Sequence, residues 1–178
     1  MEALELITGR RSVRQFKTEK VDRATVEKIV GAAAYAPSWK NTQISRYIAV
    51  EGREAIDALA KDYAPFNART VSTAPLLIVQ TFIKNRSGFE RDGSFTTDRG
   101  EGWQMYDCGI AAQTLCLSAH EHGLGTVIMG IFDRLALEKY LNVPEDQEIA
   151  ALIAVGYPAE EPKAPRRKDV ATLLSYAE

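Results

Sequence analysis

Three short segments hold most of the side chains in this sequence that could do chemistry. Arg10-Arg11-Ser12-Val13-Arg14 gathers guanidinium groups around a hydroxyl. Pro37-Ser38-Trp39-Lys40-Asn41-Thr42-Gln43 supplies hydroxyl, amide and ammonium groups in one short loop. Pro165-Arg166-Arg167-Lys168 adds a second basic cluster near the far end. Arg binds phosphate oxygens through a planar fork, often bidentately. Amides and hydroxyls match a ligand edge of alternating carbonyl oxygens and ring nitrogens. Together the segments suit a small anionic ligand with a long polar edge, and a phosphorylated flavin is one. Each also has a plainer reading. Arg10 to Arg14 can be a solvated helix end, where cations suit the negative pole of the macrodipole. The second segment can be a surface turn, and the third a solvated tail.

Other chemistries find little support. His120 and His122 are the only histidines, and on a helix they point about 200° apart, so they cannot grip one metal. Near a helix C-terminus they suit its last carbonyls. Cys108 and Cys116 fall in one expected helix, roughly 12 Å apart, too far for a disulfide. They read as buried small apolar residues. Gly123-Leu124-Gly125 invites a dinucleotide-fold reading, but it follows a helix and precedes a strand, the reverse of that fingerprint. There is no metal site, nucleophile elbow or Walker loop.

The elements that must position these groups follow from periodicity. Leu4 and Ile7 mark a short amphipathic helix running into the Arg cluster; if it extends that far, Arg10 and Arg14 share a face. Asp22 or Thr25 caps the next helix, with Val26, Ile29, Val30, Ala33 and Ala34 at helical spacing. Pro37 forces it to stop near Ala36. Strands are expected at Tyr47–Val50, Leu76–Phe82, Thr126–Gly130 and Ile149–Tyr157, and helices at Arg53–Lys61, Met105–His122 and Arg134–Leu141. The Met105–His122 helix is apolar nearly all round, so it is central or buried at a subunit contact. Lys84 to Gly102 is polar and without period, long enough to suggest a functional loop or lid. Helices and strands mix without strict alternation, which favours an α+β layered sheet. The expected organisation is one domain over 1–178, with 158–178 as an extended C-terminal arm.

The chain has 178 residues, 46% hydrophobic and 26% charged, a length suited to one full core. A net charge of −2 argues against nucleic acid as a partner. Acidic residues near the N-terminus do not suit a secretory signal, and no apolar run approaches a membrane span. A soluble cytoplasmic protein is expected.

The order of the segments resembles the flavin-dependent nitroreductase family. That similarity rests on Arg-Arg-Ser-Val-Arg at the start, then Pro-Ser-x-x-Asn-x-Gln, then Asn67 ahead of Pro75 and its strand. The central helix running into Gly123-Leu124-Gly125-Thr126 and the Arg166-Arg167-Lys168 arm complete it. The resemblance implies an α+β, mostly antiparallel layered fold that works as an intertwined homodimer, with FMN at the subunit interface. Arg10, Ser12 and Arg14, with Arg11 beside them, would bind the phosphate and pyrimidine edge. Pro37, Ser38, Trp39 and Asn41 would come from the partner chain, with Gln43 reaching the same edge. Asn67 would face the pyrimidine ring. Ile128, Met129 and Gly130 would lie along the ring, and Arg167, with Arg166, would close on the phosphate.

The activity implied is ping-pong transfer from NAD(P)H, through FMN, to a small aromatic acceptor such as a nitroaromatic or quinone. Arg14 is the candidate for stabilising charge in catalysis. The alternatives are a non-catalytic flavin-binding or storage protein, and a specialised flavin enzyme such as a reductive dehalogenase. Two residues depart from the family pattern: Trp39 is large for its place, and Thr70 stands where some relatives carry a lysine.

Overall fold

A computed structural model describes residues 2–177; Met1 and Glu178, the ends of the expected 1–178 span, lie outside the described residues. Four antiparallel strands, β1 (Ser45–Glu51), β2 (Leu76–Ile83), β3 (Gly125–Met129) and β4 (Gln147–Gly156), make one sheet in the order β1-β2-β4-β3. This is the expected α+β arrangement. β2 opens on an unbroken apolar run, Leu76 to Val79, because both of its faces are covered. Leu77 and Val79 pack with Leu152 and Ala154 beneath α3 (Arg53–Ala58), a wider helical turn at Leu59–Tyr63, α4 (Ala68–Val71) and α6 (Arg134–Tyr140). Leu76 and Ile78 point the other way and pack with Ile153 and Val155 against α2 (Arg23–Ala33) and α5 (Gly102–Glu121). Alternation along one strand thus feeds two cores.

Helix ends follow their local chemistry. The Asp22 carboxylate accepts the Thr25 N–H at 2.9 Å and its hydroxyl at 2.7 Å, which holds its pKa below the usual value. α2 ends at Ala33 and the chain turns before Pro37. α5 starts at Gly102 rather than Met105, and Gly123, at φ +75°, turns the chain towards β3. The His122 ring sits 2.8 Å from the Ser118 carbonyl.

The Arg cluster differs from expectation. α1 (Ala3–Gly9) stops short of it, and Ser12 pairs in parallel with Thr126 of β3. α1 has no buried residue, so little apolar burial favours propagating the helix. The segment 84–101 is also more ordered than its composition suggests. Phe89 pairs with Phe95, their rings 4.9 Å apart, and Thr96 N–H donates to the Gly88 carbonyl at 2.9 Å. Beyond Gly156 the chain runs extended to α7 (Val170–Leu173), and every described residue from 163 onward is exposed. Among the described residues, no helix is long and apolar enough to cross a membrane.

Candidate functional site

Residues 10–13 leave α1 as an extended strand, so neighbouring side chains point to opposite sides. Arg10 and Ser12 face a recess of about 110 Å³ shared with Gln113, Cys116, Thr126 and Ile128. The Arg10 Nε is buried there and has no hydrogen-bond partner. Arg11 and Val13 face the other side, where a larger cavity also touches His120, Gly125 and Pro158. The Arg11 guanidinium donates to the carbonyls of Thr8 (2.5 Å), Gly9 (3.1 Å) and Arg10 (3.1 Å), capping α1. Burial, followed by the charges of Arg10 and Arg11, pushes the His120 pKa down. Arg14 is exposed, and its Nη1 reaches the Ser12 carbonyl only at 3.4 Å.

The polar loop lies at the start of β1. Lys40 (φ +44°), Asn41 (φ +55°) and Gln43 (φ +47°) are all left-handed without being glycine. Such residues cost about 1–3 kcal/mol each and persist only where the surroundings fix them. Here the fixing is visible. Gln43 N–H donates to Ser38 Oγ at 2.9 Å, and Gln43 Nε2 to Asn41 Oδ1 at 3.2 Å. Trp39 N–H donates to both oxygens of the buried Asp107 carboxylate, each at 3.0 Å. The Trp39 ring packs on Trp103 with centroids 4.5 Å apart, and its buried Nε1 has no partner. Pro37, Ser38 and Gln43 border a cavity of about 330 Å³ with Arg46, Tyr47 and Asp107. The Tyr47 hydroxyl is buried without a partner, and burial pushes its pKa up to about 12.

Asn67 Nδ2 donates to the Ile131 carbonyl at 2.8 Å, just past the C-terminal end of β3, whereas Ser12 pairs with Thr126 near the strand's start. Ile128 is 46% exposed on an otherwise buried strand. Met129 points into the core, so only its backbone is free to face a ligand. A Cβ at Gly130 would meet no atom within 4 Å, which leaves open space over the backbone. Arg166 and Arg167 stand exposed on the arm, with no ion pair or side-chain hydrogen bond among the described residues.

The structure therefore brings together Arg10, Ser12 and Ile128, and sets Asn67 beyond the far end of β3. It gathers Pro37 to Gln43 elsewhere and leaves Arg166 and Arg167 apart. The sheet order sets the distance between the two gatherings. β3 and β1 are opposite edges, three strand spacings or about 14 Å apart. Sequence reasoning missed Asp107 and Ser87 as the groups that hold the polar loop. A carboxylate inside a nearly all-apolar helix was the available signal, since Asp is rarely fully buried without partners.

Comparison with known proteins adds an independent observation. A profile described as the nitroreductase family matches residues 7–157. A Methanothermobacter thermautotrophicus protein, whose name places it provisionally among NADH dehydrogenases and NAD(P)H nitroreductases, is 31% identical over 91% of this chain and 80% of its own. A Desulfovibrio desulfuricans structure, described as a provisional nitroreductase in complex with FMN, superposes with TM-score 0.80 at 27% identity, covering 100% of this chain and 98% of that one. A Haliscomenobacter hydrossis protein named iodotyrosine deiodinase is 26% identical over 97% of this chain and 87% of its own.

Proposed function

The chain belongs to the nitroreductase family, and from that premise we propose that it is an FMN-dependent oxidoreductase. It would carry reducing equivalents from NAD(P)H to a small aromatic acceptor, a nitroaromatic or a quinone. The observation that carries this reading is the buried Arg10 Nε without a partner, beside Ser12, Thr126 and the exposed Ile128. A buried guanidinium donor left unpaired is costly, and an anionic oxygen in that recess would satisfy it. The donor set fits a phosphorylated flavin.

When bound, FMN would supply the hydride-transfer chemistry between a nicotinamide donor and the acceptor. The chain's own residues bind and orient. Arg10 and Ser12, with Arg11 capping the helix behind them, form the anion-binding side. Arg14 is free to turn towards the cofactor's polar edge, where a fixed cation helps most as negative charge develops. Asn67, Ile128 and the backbone of Met129 and Gly130 form the wall at the end of β3.

Ser38, Trp39, Asn41 and Gln43 lie at the far edge of the sheet and would reach the same cofactor from a second copy of the chain. Pro37 sets their loop. Exposed apolar side chains support such a homodimer: Leu4 and Ile7 on α1, Met105 and Tyr106 on α5, and Leu173 and Tyr176 on the arm. That arm, 158–178 of a single domain spanning 1–178, would carry Arg166 and Arg167 to the phosphate.

Steady-state kinetics test the assignment. Parallel double-reciprocal lines for NAD(P)H against a quinone, from a protein that sediments as a dimer, are expected. Intersecting lines, or an active monomer, would contradict it. Similarity to the deiodinase supports a second reading, reductive dehalogenation. Halide release from an iodophenol faster than quinone reduction would favour that instead.

A further inference from the structure

On the reading that the polar loop seats FMN, we propose that Asp107 is a positioning residue that locks this loop to the segment 84–101, coupling cofactor binding to closure of that segment. One carboxylate, 3% exposed, serves both. Its two oxygens accept the Trp39 N–H at 3.0 Å, and its Oδ2 also accepts the Ser87 hydroxyl at 2.5 Å. Ser87 is itself fully buried, and its Oγ lies 2.7 Å from Thr42 Oγ1, so the polar loop reaches the same hub twice.

The contacts around the hub run in the same direction. Trp39 packs on Trp103, whose indole N–H donates to Thr97 Oγ1 at 2.9 Å. Lys40 bridges to Glu90 at 2.9 Å; that pair is half-exposed and contributes little alone. Gly88, at φ +87°, closes against the Gly100 carbonyl, where a Cβ would collide. The segment next to Ser87 therefore has no slack.

Coupling follows from how the charge is satisfied. Among the described residues Asp107 has no ion-pair partner, so hydrogen-bond donors from the two loops balance its buried charge. Releasing either loop leaves the carboxylate under-satisfied and weakens the hold on the other. The polar loop is strained at Lys40, Asn41 and Gln43, so it depends on that hold. A ligand that stabilises one loop must then stabilise the other, and the relation is reciprocal.

The test uses the purified full chain, FMN titration by flavin fluorescence, and trypsin cleavage at the exposed Arg91 and Arg99. FMN should slow cleavage of the wild type by about tenfold or more, while Ser87→Ala still binds FMN but loses that protection. Asp107→Ala should weaken FMN affinity by about tenfold, and Asp107→Asn should recover most of it, since it keeps an acceptor for Trp39 N–H and can donate to Ser87 Oγ. A purely structural role would lower the melting temperature without changing the protection ratio. If Asp107→Ala does not fold, Ser87→Ala decides alone. FMN binding without protection in the wild type, or full protection in Ser87→Ala, overturns the inference. A wild type that binds no FMN overturns the functional reading, and the coupling with it.

Discussion

Gly125→Ala should loosen the whole Arg10–Arg14 segment through a single methyl group. An ideal Cβ at Gly125 would sit 2.6 Å from Val13 Cγ2 and 2.7 Å from Val13 Cβ. Carbon atoms pack comfortably at about 3.5–4.0 Å, so the two backbones must part by about 1 Å. No rotamer helps, because the Val13 Cβ is itself in the way. Val13 is 4% exposed and its N–H donates to the Thr126 carbonyl at 3.0 Å, so the displacement strains both packing and pairing. Overpacking of this kind costs about 1–3 kcal/mol, which for a chain of this size is about 2–12 °C in Tm. Ser12 and Arg10 ride on the same segment, so the FMN Kd should rise, by about tenfold for each 1.4 kcal/mol that reaches the site. Thermal melts without ligand and a fluorescence titration read the two effects separately. A variant with wild-type Tm and FMN affinity would refute the claim that β3 positions the anion-binding segment.

Other perturbations separate the remaining parts. Arg10→Met removes a buried donor that lacks a partner, so the ligand-free melting temperature should hold or rise while FMN affinity falls by at least about tenfold; lost stability with unchanged affinity would contradict this. Arg14→Ala should keep the dimer, weaken FMN affinity and slow reduction by NAD(P)H; if both are unchanged, Arg14 is not in the site. Burial pushes the Cys108 thiol up to about 12 and raises Cys116, so neither should react with a thiol reagent at pH 8 until the protein unfolds. Cys108 and Tyr47 also set an alkaline limit: the unfolded chain loses these protons from about pH 8.5–10, while the folded one keeps them to about 12. Folding stability should therefore fall as pH rises through that window, and denaturant midpoints that stay flat would count against it.

Much of the fold was legible because its signals are local. The β2 run, the Asp22 cap, the stop before Pro37 and the left-handed Gly123 each follow from a few adjacent residues. The sequence left open whether the first helix extends into the Arg cluster, because what holds the cluster extended is Thr126, more than a hundred residues away, and no local pattern reports that pairing. Distance along the chain also hid the hub at Asp107, 68 residues from Trp39 and 20 from Ser87. Its carboxylate looked like one polar residue on an apolar helix, and only the packed structure sets it under Trp39 and Ser87. Residue types showed which groups could bind an anion, but not that Arg10 and Arg11 point to opposite sides. That division appears only once the segment is known to be extended.

The absorbance spectrum of the purified protein, recorded anaerobically before and after NADH and then NADPH, tests the central claim most directly. A yellow protein whose flavin bands bleach with one of the two donors is the predicted result. A flavin that stays oxidised with both would point to storage or another donor, and a colourless protein that refuses added FMN would contradict the assignment of Arg10 and Ser12 to a cofactor.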